Sequence, residues 1–341
     1  MANPIEERKQ RWLDFMDPAQ PDRHLFQISL TNAPTRPWPG PDNLTERIAF
    51  ALDRYERETA NLAWLADDRI PALHVYTGTE IFAEAFGCPV HRPANNMPFA
   101  LPVIHAAHEV SRLPVPGLAT EPLASLFRIA DELKRQAGQD ALLQLPDIQS
   151  PLDIAALIWE KTDFYVALLE EPAAVQELLI KIKALLLLFF DTWFARYGTD
   201  YLAHYPDYFM RGGLTLSEDE VGAISGDLFR QFALPDLSEI SRHYGGLGMH
   251  CCANARHQWD NFLAIPGLRL LNLVQPEAQI REAYGFFAGK VGQMHSWCGN
   301  QEPWTWPDQL PAGVRAVLTI QAANRDEARR IAERMNRVCS R

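Results

Sequence analysis

Segments with helical spacing alternate along the chain with short apolar runs typical of strands. Such runs lie near residues 25, 73, 142, 203, 248, 271, 292 and 318, and helix-like segments separate them. In residues 42–66, for example, apolar side chains recur at the three- and four-residue intervals of one helix face. This alternation predicts an α/β protein. Eight repeats favour a closed (β/α)₈ TIM barrel, with a doubly wound open sheet as the alternative.

The domain organisation follows from the same pattern. A length of 341 residues suits one large domain or two ordinary ones. No linker rich in Pro, Gly or Ser divides the chain, and no internal sequence repeat is apparent. We therefore expect residues 1–341 to form a single barrel domain with an N-terminal helical extension over about residues 1–22.

The charge balance narrows the possible partners. The chain has 43 Asp and Glu residues against 32 Lys and Arg, a formal net charge of −11. Nucleic acids and anionic membranes need a basic face, so we expect neither as a partner and favour a small-molecule substrate. The first twenty residues lack an apolar secretory signal, and the apolar run at 184–190 is too short for a membrane span. These features predict a cytoplasmic protein.

A candidate metal site lies in the segment GLGMHCCAN. His250 and Cys252 are two residues apart, so in a strand their side chains share a face and Cys251 points the other way. Imidazole nitrogen and thiolate sulfur are ligands that Zn²⁺ accepts. Cys298 ends the seventh predicted strand and is the candidate third ligand, because strands five and seven converge across a barrel mouth. The alternative is that His250 and the two adjacent cysteines are ordinary core residues.

Other polar and aromatic residues also follow predicted strands. Glu80 and Asp147 are candidate catalytic acids or bases. Glu80 could instead bind zinc or favour the start of a helix, and Asp147 could be a turn residue. The candidate substrate-binding residues at the strand ends are Tyr205, Asp207, Arg211, Gln275, Trp297 and Asn300. Alternation within strands means that only some of them can face the site.

A family resemblance rests on three segments: TEIFAEAFG, DIQSPLDIAALIWEKTDFYVALLEEPAAVQELLIKI and LFRQFALPDLSEISRHYGGLGMHCCANARHQWDNFLAIPGLRLLNLVQPE. They resemble the uroporphyrinogen decarboxylase superfamily, and the resemblance spans roughly residues 70–338. That superfamily folds as a (β/α)₈ barrel. It includes tetrapyrrole decarboxylases and zinc-dependent corrinoid and thiol methyltransferases.

The chain departs from the decarboxylase branch at three of four features. That branch carries the motif Arg-Gln-Ala-Gly-Arg-Tyr where residues 26–34 read FQISLTNAP, without arginine. Glu80 falls on or beside the catalytic Asp of that branch, but Leu157 falls near its Tyr, and residues 319–324 lack its His. The carboxylates of a tetrapyrrole need cationic partners, so the match to this branch is poor.

The methyltransferase branch matches better. It carries zinc on His-x-Cys and a distant Cys, and His250 and Cys252 match the first two ligands. The distant Cys usually lies on the last strand, which here reads AVLTIQAA, so Cys298 is the nearest candidate. The resemblance thus implies Zn²⁺, a corrinoid as possible methyl donor, a corrinoid protein as possible partner, and a monomer or homodimer. Two alternatives stay open: decarboxylation of a tetrapyrrole or small acid through Glu80 or Asp147, and non-catalytic tetrapyrrole or corrinoid binding.

Overall fold

The computed structural model describes residues 4–20, 23–295 and 301–339. Its strands are β1 (Leu25–Leu30), β2 (Leu73–His74), β3 (Val90–His91), β4 (Phe99–Ala100), β5 (Leu143–Gln144), β6 (Asp200–Leu202), β7 (Phe209–Arg211), β8 (Leu214–Ser217), β9 (Leu247–Cys251), β10 (Leu268–Leu273), β11 (Gly292–Gln293) and β12 (Val317–Ala322).

Helices separate most of these strands. They are α1 (Pro4–Met16), α2 (Leu44–Asn61), α3 (Ile81–Ala85), α4 (Ala107–Val110), α5 (Glu121–Ala137), α6 (Pro151–Ile158), α7 (Lys161–Glu170), α8 (Pro172–Tyr197), α9 (Gly226–Leu228), α10 (Leu234–Tyr244), α11 (Trp259–Leu263), α12 (Glu277–Phe287) and α13 (Arg325–Cys339). A π-helical turn, Phe229–Ala233, joins α9 to α10 without a break. None of the helices in the described part of the chain has the length and apolarity needed to cross a bilayer.

Parallel pairing arranges the strands as a (β/α)₈ TIM barrel, the fold predicted from the sequence. β12 pairs with β1 over six residues, and β8, β9, β10 and β11 pair in that order. A bridge between Gln293 and Ala316 connects β11 to β12. On the other side β2 pairs with β5, and a bridge between Gln149 and Ser217 connects the segment after β5 to β8.

The contact between β1 and the segment before β2 uses side chains in place of a strand ladder. The backbone N–H groups of Phe26 and Ile28 donate to the carboxylates of Asp68 and Asp67, each over 2.9 Å. Arg8 of α1 forms an ion pair with Asp67 at 3.3 Å. Both aspartates are almost fully buried. Unpaired buried carboxylates are costly, so α1 stabilises this part of the barrel wall.

The helix ends follow local sequence signals. Ser150 accepts a hydrogen bond from the N–H of Asp153 over 3.1 Å and so caps α6, as its position before Pro151 predicts. α8 begins at Pro172 and is followed by Gly198, whose φ of +86° a side chain would disfavour. These signals explain why α8 begins at Pro172 and ends at Tyr197.

Each of the eight predicted strand positions contains a strand, but one of the two strands that pair with β9 was not predicted. That strand is β8, which directly follows the β6–β7 hairpin. Its four residues precede an acidic run, Glu218 to Glu220, which reads as the start of a helix in the sequence. β8 brings this acidic run beside the carboxyl end of β9.

Candidate metal centre

The carboxyl end of β9 presents His250 and Cys252 on one side of the strand. Cys251 between them is fully buried in the core, whereas Cys252 is exposed and His250 is partly buried. This is the alternation expected for successive residues of a strand. β9 therefore offers one nitrogen and one sulfur ligand at the barrel mouth.

A third candidate ligand, Asp219, follows the unpredicted strand β8. Ser217 of β8 pairs in register with His250, which places Asp219 beside the end of β9. The Asp219 carboxylate accepts the backbone N–H of Cys252 over 2.5 Å. The candidate ligand atoms of Asp219, His250 and Cys252 all lie within 4.8 Å of one another. A single cation could therefore contact all three side chains.

The third ligand expected from the sequence was Cys298. Cys298 lies outside the described residues, so its part in the site stays a prediction. Asp219 was missed because its strand was missed. The signal that could have identified it is the short apolar run Leu214–Ser217 followed at once by carboxylates, since polar residues at barrel strand ends face the site.

The electrostatics of the group suit a bound cation. Although Cys252 as a whole is exposed, partial burial of its thiol raises the thiol pKa to about 12, and the negative charge of Asp219 adds to the effect. Nitrogen, sulfur and carboxylate oxygen together form a ligand set that Zn²⁺ accepts in tetrahedral geometry. A cation would offset the repulsion between the Cys252 thiolate and the Asp219 carboxylate. The residues present therefore fit zinc.

Further carboxyl groups lie behind Asp219. The Asp153 carboxylate accepts the backbone N–H groups of Asp219 and Glu220, each over 2.8 Å. Burial, followed by the charge of Asp219, raises the pKa of Asp153 to about 8. Glu218 is fully buried, and burial, followed by the charge of Asp153, raises its pKa well above the usual range. Asp153 thus fixes the backbone that carries Asp219.

Tyr205 borders the candidate metal centre. Its ring meets the His250 ring edge to face, with centroids 4.8 Å apart and planes at 90°. The Tyr205 side chain is about half exposed. It is therefore placed to contact a molecule that binds beside His250, and its substrate-binding role stays a prediction.

Comparison with known proteins identifies the family. The family model for uroporphyrinogen decarboxylase (URO-D) matches residues 69–316. The chain belongs to this family. No curated protein sequence matches the chain. A solved structure of a methyltransferase from Methanosarcina mazei is similar over 97% of this chain and 98% of that protein, with a TM-score of 0.65 and 12% sequence identity. At that identity the likeness concerns the fold.

Within this URO-D barrel, two predicted substrate-binding residues have structural partners instead. Asp207 accepts hydrogen bonds from Arg54 (2.7 Å), Arg69 (3.5 Å) and Gln144 (2.8 Å). The charges of Arg54 and Arg69 help to hold the pKa of Asp207 below its usual range in spite of burial, and the three hydrogen bonds leave little of the carboxylate free for a ligand. Asp207 instead anchors the turn that carries Tyr205.

Arg211 also differs from the prediction. It forms two hydrogen bonds, of 2.7 and 2.8 Å, with the carboxylate of Asp200. β7 runs antiparallel to β6, so Arg211 pairs with the first residue of β6. The hairpin therefore returns Arg211 to the amino-terminal end of the barrel strands, away from the mouth.

The two candidate catalytic carboxylates lie after β2 and β5. Glu80 precedes α3 and is 4% exposed, and its Oε2 atom has no hydrogen-bond partner among the described residues. Burial raises the pKa of Glu80 to about 7. Asp147 donates its backbone N–H to Thr77, and its carboxylate lies 3.6 Å from Nε2 of His204. A carboxyl group with such a pKa can exchange a proton near neutral pH, and the catalytic roles of Glu80 and Asp147 stay predictions.

The remaining predicted ligands divide into two sets. Gln275 donates from Nε2 to the backbone carbonyls of Cys252 and Ala253, each over 2.8 Å, and so supports the loop after β9. Among the residues that the structure describes, its side-chain oxygen accepts no hydrogen bond. Trp297 and Asn300 lie outside the described residues, and their substrate-binding roles stay predictions.

Proposed function

We propose that this URO-D family member is a zinc-dependent methyltransferase that moves a methyl group to or from a thiol or a corrinoid. The observation that carries the proposal is the group of Asp219, His250 and Cys252, with ligand atoms within 4.8 Å of one another at the barrel mouth. The methyltransferase from Methanosarcina mazei, similar over almost its whole length, supports this choice within the family.

Each residue of the group has a distinct part in the proposal. His250, Cys252 and Asp219 would hold Zn²⁺, and three protein ligands leave one tetrahedral position open, as in catalytic zinc sites. Zinc bound there would lower the pKa of a substrate thiol and so favour the nucleophilic thiolate. Cys298 is the alternative third ligand.

The surroundings of the group define the proposed substrate site. Tyr205 would border the substrate beside His250, and Asp147 and the side-chain oxygen of Gln275 would offer polar contacts. The methyl donor in this proposal is a corrinoid, supplied by a corrinoid protein as partner. The substrates that enter the mouth are small molecules, in keeping with the net charge of −11.

Metal analysis tests the ligand assignment. Protein purified without added zinc should hold about one equivalent, and His250→Gln and Cys252→Ser should lose it. Cys88→Ser is the matched control, because Cys88 is a buried cysteine outside the group. Loss of zinc in Asp219→Asn but not in Cys298→Ser would assign the third ligand to Asp219, and the reverse result would assign it to Cys298. A metal-free wild type would refute the proposal.

Activity measurements test the reaction. With methylcobalamin as donor and a small thiol as acceptor, the wild type should form a methyl thioether, and a zinc chelator or Cys252→Ser should abolish product. Zinc-loaded wild-type protein that forms no thioether with any of a panel of thiols would exclude methyl transfer of this type.

A second candidate function rests on Glu80. A buried carboxyl group with a pKa of about 7 and an unpartnered oxygen can exchange a proton near neutral pH, which a decarboxylase requires to protonate its product. This function predicts CO₂ release from a tetrapyrrole or small acid that persists with a chelator and is lost in Glu80→Gln.

A further inference from the structure

His250 has a cross-strand partner that takes no part in the ligand group. Asn272 of β10 pairs in register with His250 of β9, and its side chain is buried. The side-chain oxygen of Asn272 lies 2.5 Å from Nδ1 of His250. Residues opposite each other on adjacent strands have side chains on the same face, so this contact follows from the register.

The orientation of the Asn272 amide is determined by its second contact. Its Nδ2 atom donates to the backbone carbonyl of Met294, in the segment after β11. If the amide were rotated by half a turn, its oxygen would face that carbonyl, and two acceptors would oppose each other inside the protein. The oxygen of Asn272 therefore faces His250.

An oxygen acceptor at Nδ1 determines where the imidazole proton lies. Because the Asn272 oxygen can only accept, Nδ1 of His250 must carry the proton, and Nε2 of the neutral ring then has a free lone pair. We infer that Asn272 is a positioning residue that fixes the tautomer and orientation of His250 so that Nε2 can bind a cation. Partners of this kind commonly support metal-binding histidines.

The strand beyond Asn272 strengthens this arrangement. The backbone N–H of Leu273, the next residue, donates to Nδ1 of His295 over 3.0 Å, and Nε2 of His295 lies 2.9 Å from the Gln293 side-chain oxygen. The backbone N–H of Met294 donates to Leu271 over 3.1 Å. Residues 293–295 are thus held against β10, and the Met294 carbonyl is a fixed acceptor for Asn272.

The test reads the tautomer directly. In metal-free protein labelled with ¹⁵N-histidine, long-range ¹H–¹⁵N spectra should show His250 with its proton on Nδ1, and the signal is assigned by its absence in His250→Gln. A wild-type spectrum with the proton on Nε2 would overturn the inference. The metal-binding consequence rests on the proposed function, whereas the tautomer does not. A wild type with the Nδ1–H tautomer and no zinc affinity would therefore refute the function and support the inference.

Two substitutions of Asn272 test whether this residue determines the tautomer of His250. Asn272→Leu removes the acceptor and should give a mixture of tautomers and zinc affinity about 10 to 100-fold weaker. Asn272→Asp loses the donor to the Met294 carbonyl, but it keeps an oxygen facing Nδ1 and should retain the Nδ1–H tautomer in the folded protein. Asn261→Leu is the matched control, since Asn261 is a buried asparagine bonded to Gln258, outside the ligand group. An unchanged tautomer in folded Asn272→Leu, or an equal loss of zinc affinity in Asn261→Leu, would contradict the role of Asn272.

Discussion

The charge of Asp219 should control the reactivity of the neighbouring thiol even without metal. Burial is the largest cause of the raised pKa of Cys252, and the charge of Asp219 is the next. With a pKa of about 12, about one thiol in 10⁴ is a thiolate at pH 8. Asp219→Asn removes the charge, while its side-chain oxygen can still accept the N–H of Cys252. The pKa of Cys252 should therefore fall.

The expected change in reaction rate can be calculated for each unit by which the pKa of Cys252 falls. A fall of one unit increases the thiolate population tenfold. The intrinsic nucleophilicity of the thiolate falls at the same time, with a Brønsted coefficient of about 0.4–0.5. The observed rate with an aromatic disulfide at pH 8 should thus rise about 3 to 4-fold for each unit by which the substitution lowers the pKa.

The assay measures the reaction of chelator-treated protein with the aromatic disulfide. Cys298→Ser is present both in Asp219→Asn and in the parent protein that is compared with it, so that the measured reaction belongs to Cys252. The other cysteines, Cys88, Cys251 and Cys339, are buried. Asp326→Asn, an exposed carboxylate on α13, is the control and should leave the rate unchanged. Equal rates for Asp219→Asn and its parent across pH 7–10 would refute the electrostatic coupling.

Three further predictions concern stability and specificity. Because the pKa of Glu80 is raised to about 7 in the folded protein, its carboxyl group resists ionisation there more than in the unfolded chain. The free energy of unfolding of the wild type should therefore fall by about 3 kcal/mol between pH 4.5 and 7.5, relative to that of Glu80→Gln. Urea titration of both proteins measures this difference. Arg8→Met leaves Asp67 buried without its ion pair and should cost about 3–5 kcal/mol, against less than about 1 for the exposed Arg23→Ala. Tyr205→Ala should raise the KM for small thiols and allow bulkier thiols to react. If the variant accepts the same range of thiols as the wild type, Tyr205 does not border the substrate.

The sequence predicted the barrel and two of the three residues of the ligand group, because both depend on local periodicity. Alternation of strand and helix signals located all eight predicted strands, and the two-residue period placed His250 and Cys252 on one face. The position of Asp219 beside His250 depends on the pairing of Ser217 with His250, two residues far apart in the sequence; the short apolar run before Asp219 marks a strand but not its partner. The predicted position of Arg211 at the barrel mouth was wrong for a related reason. The β6–β7 hairpin reverses the chain after the predicted strand near residue 203, and it places Arg211 at the opposite end of the barrel.

The contact between α1 and the aspartates before β2 has a practical consequence for protein production. Shortened versions of this chain that begin at the first strand would keep every residue of the metal-binding group. They would nevertheless leave Asp67 without its guanidinium partner and expose the apolar surface that Trp12 and Phe15 cover. Such truncations should be recovered mainly as aggregates, and a peptide covering residues 4–20, supplied in trans, should increase the yield of folded protein.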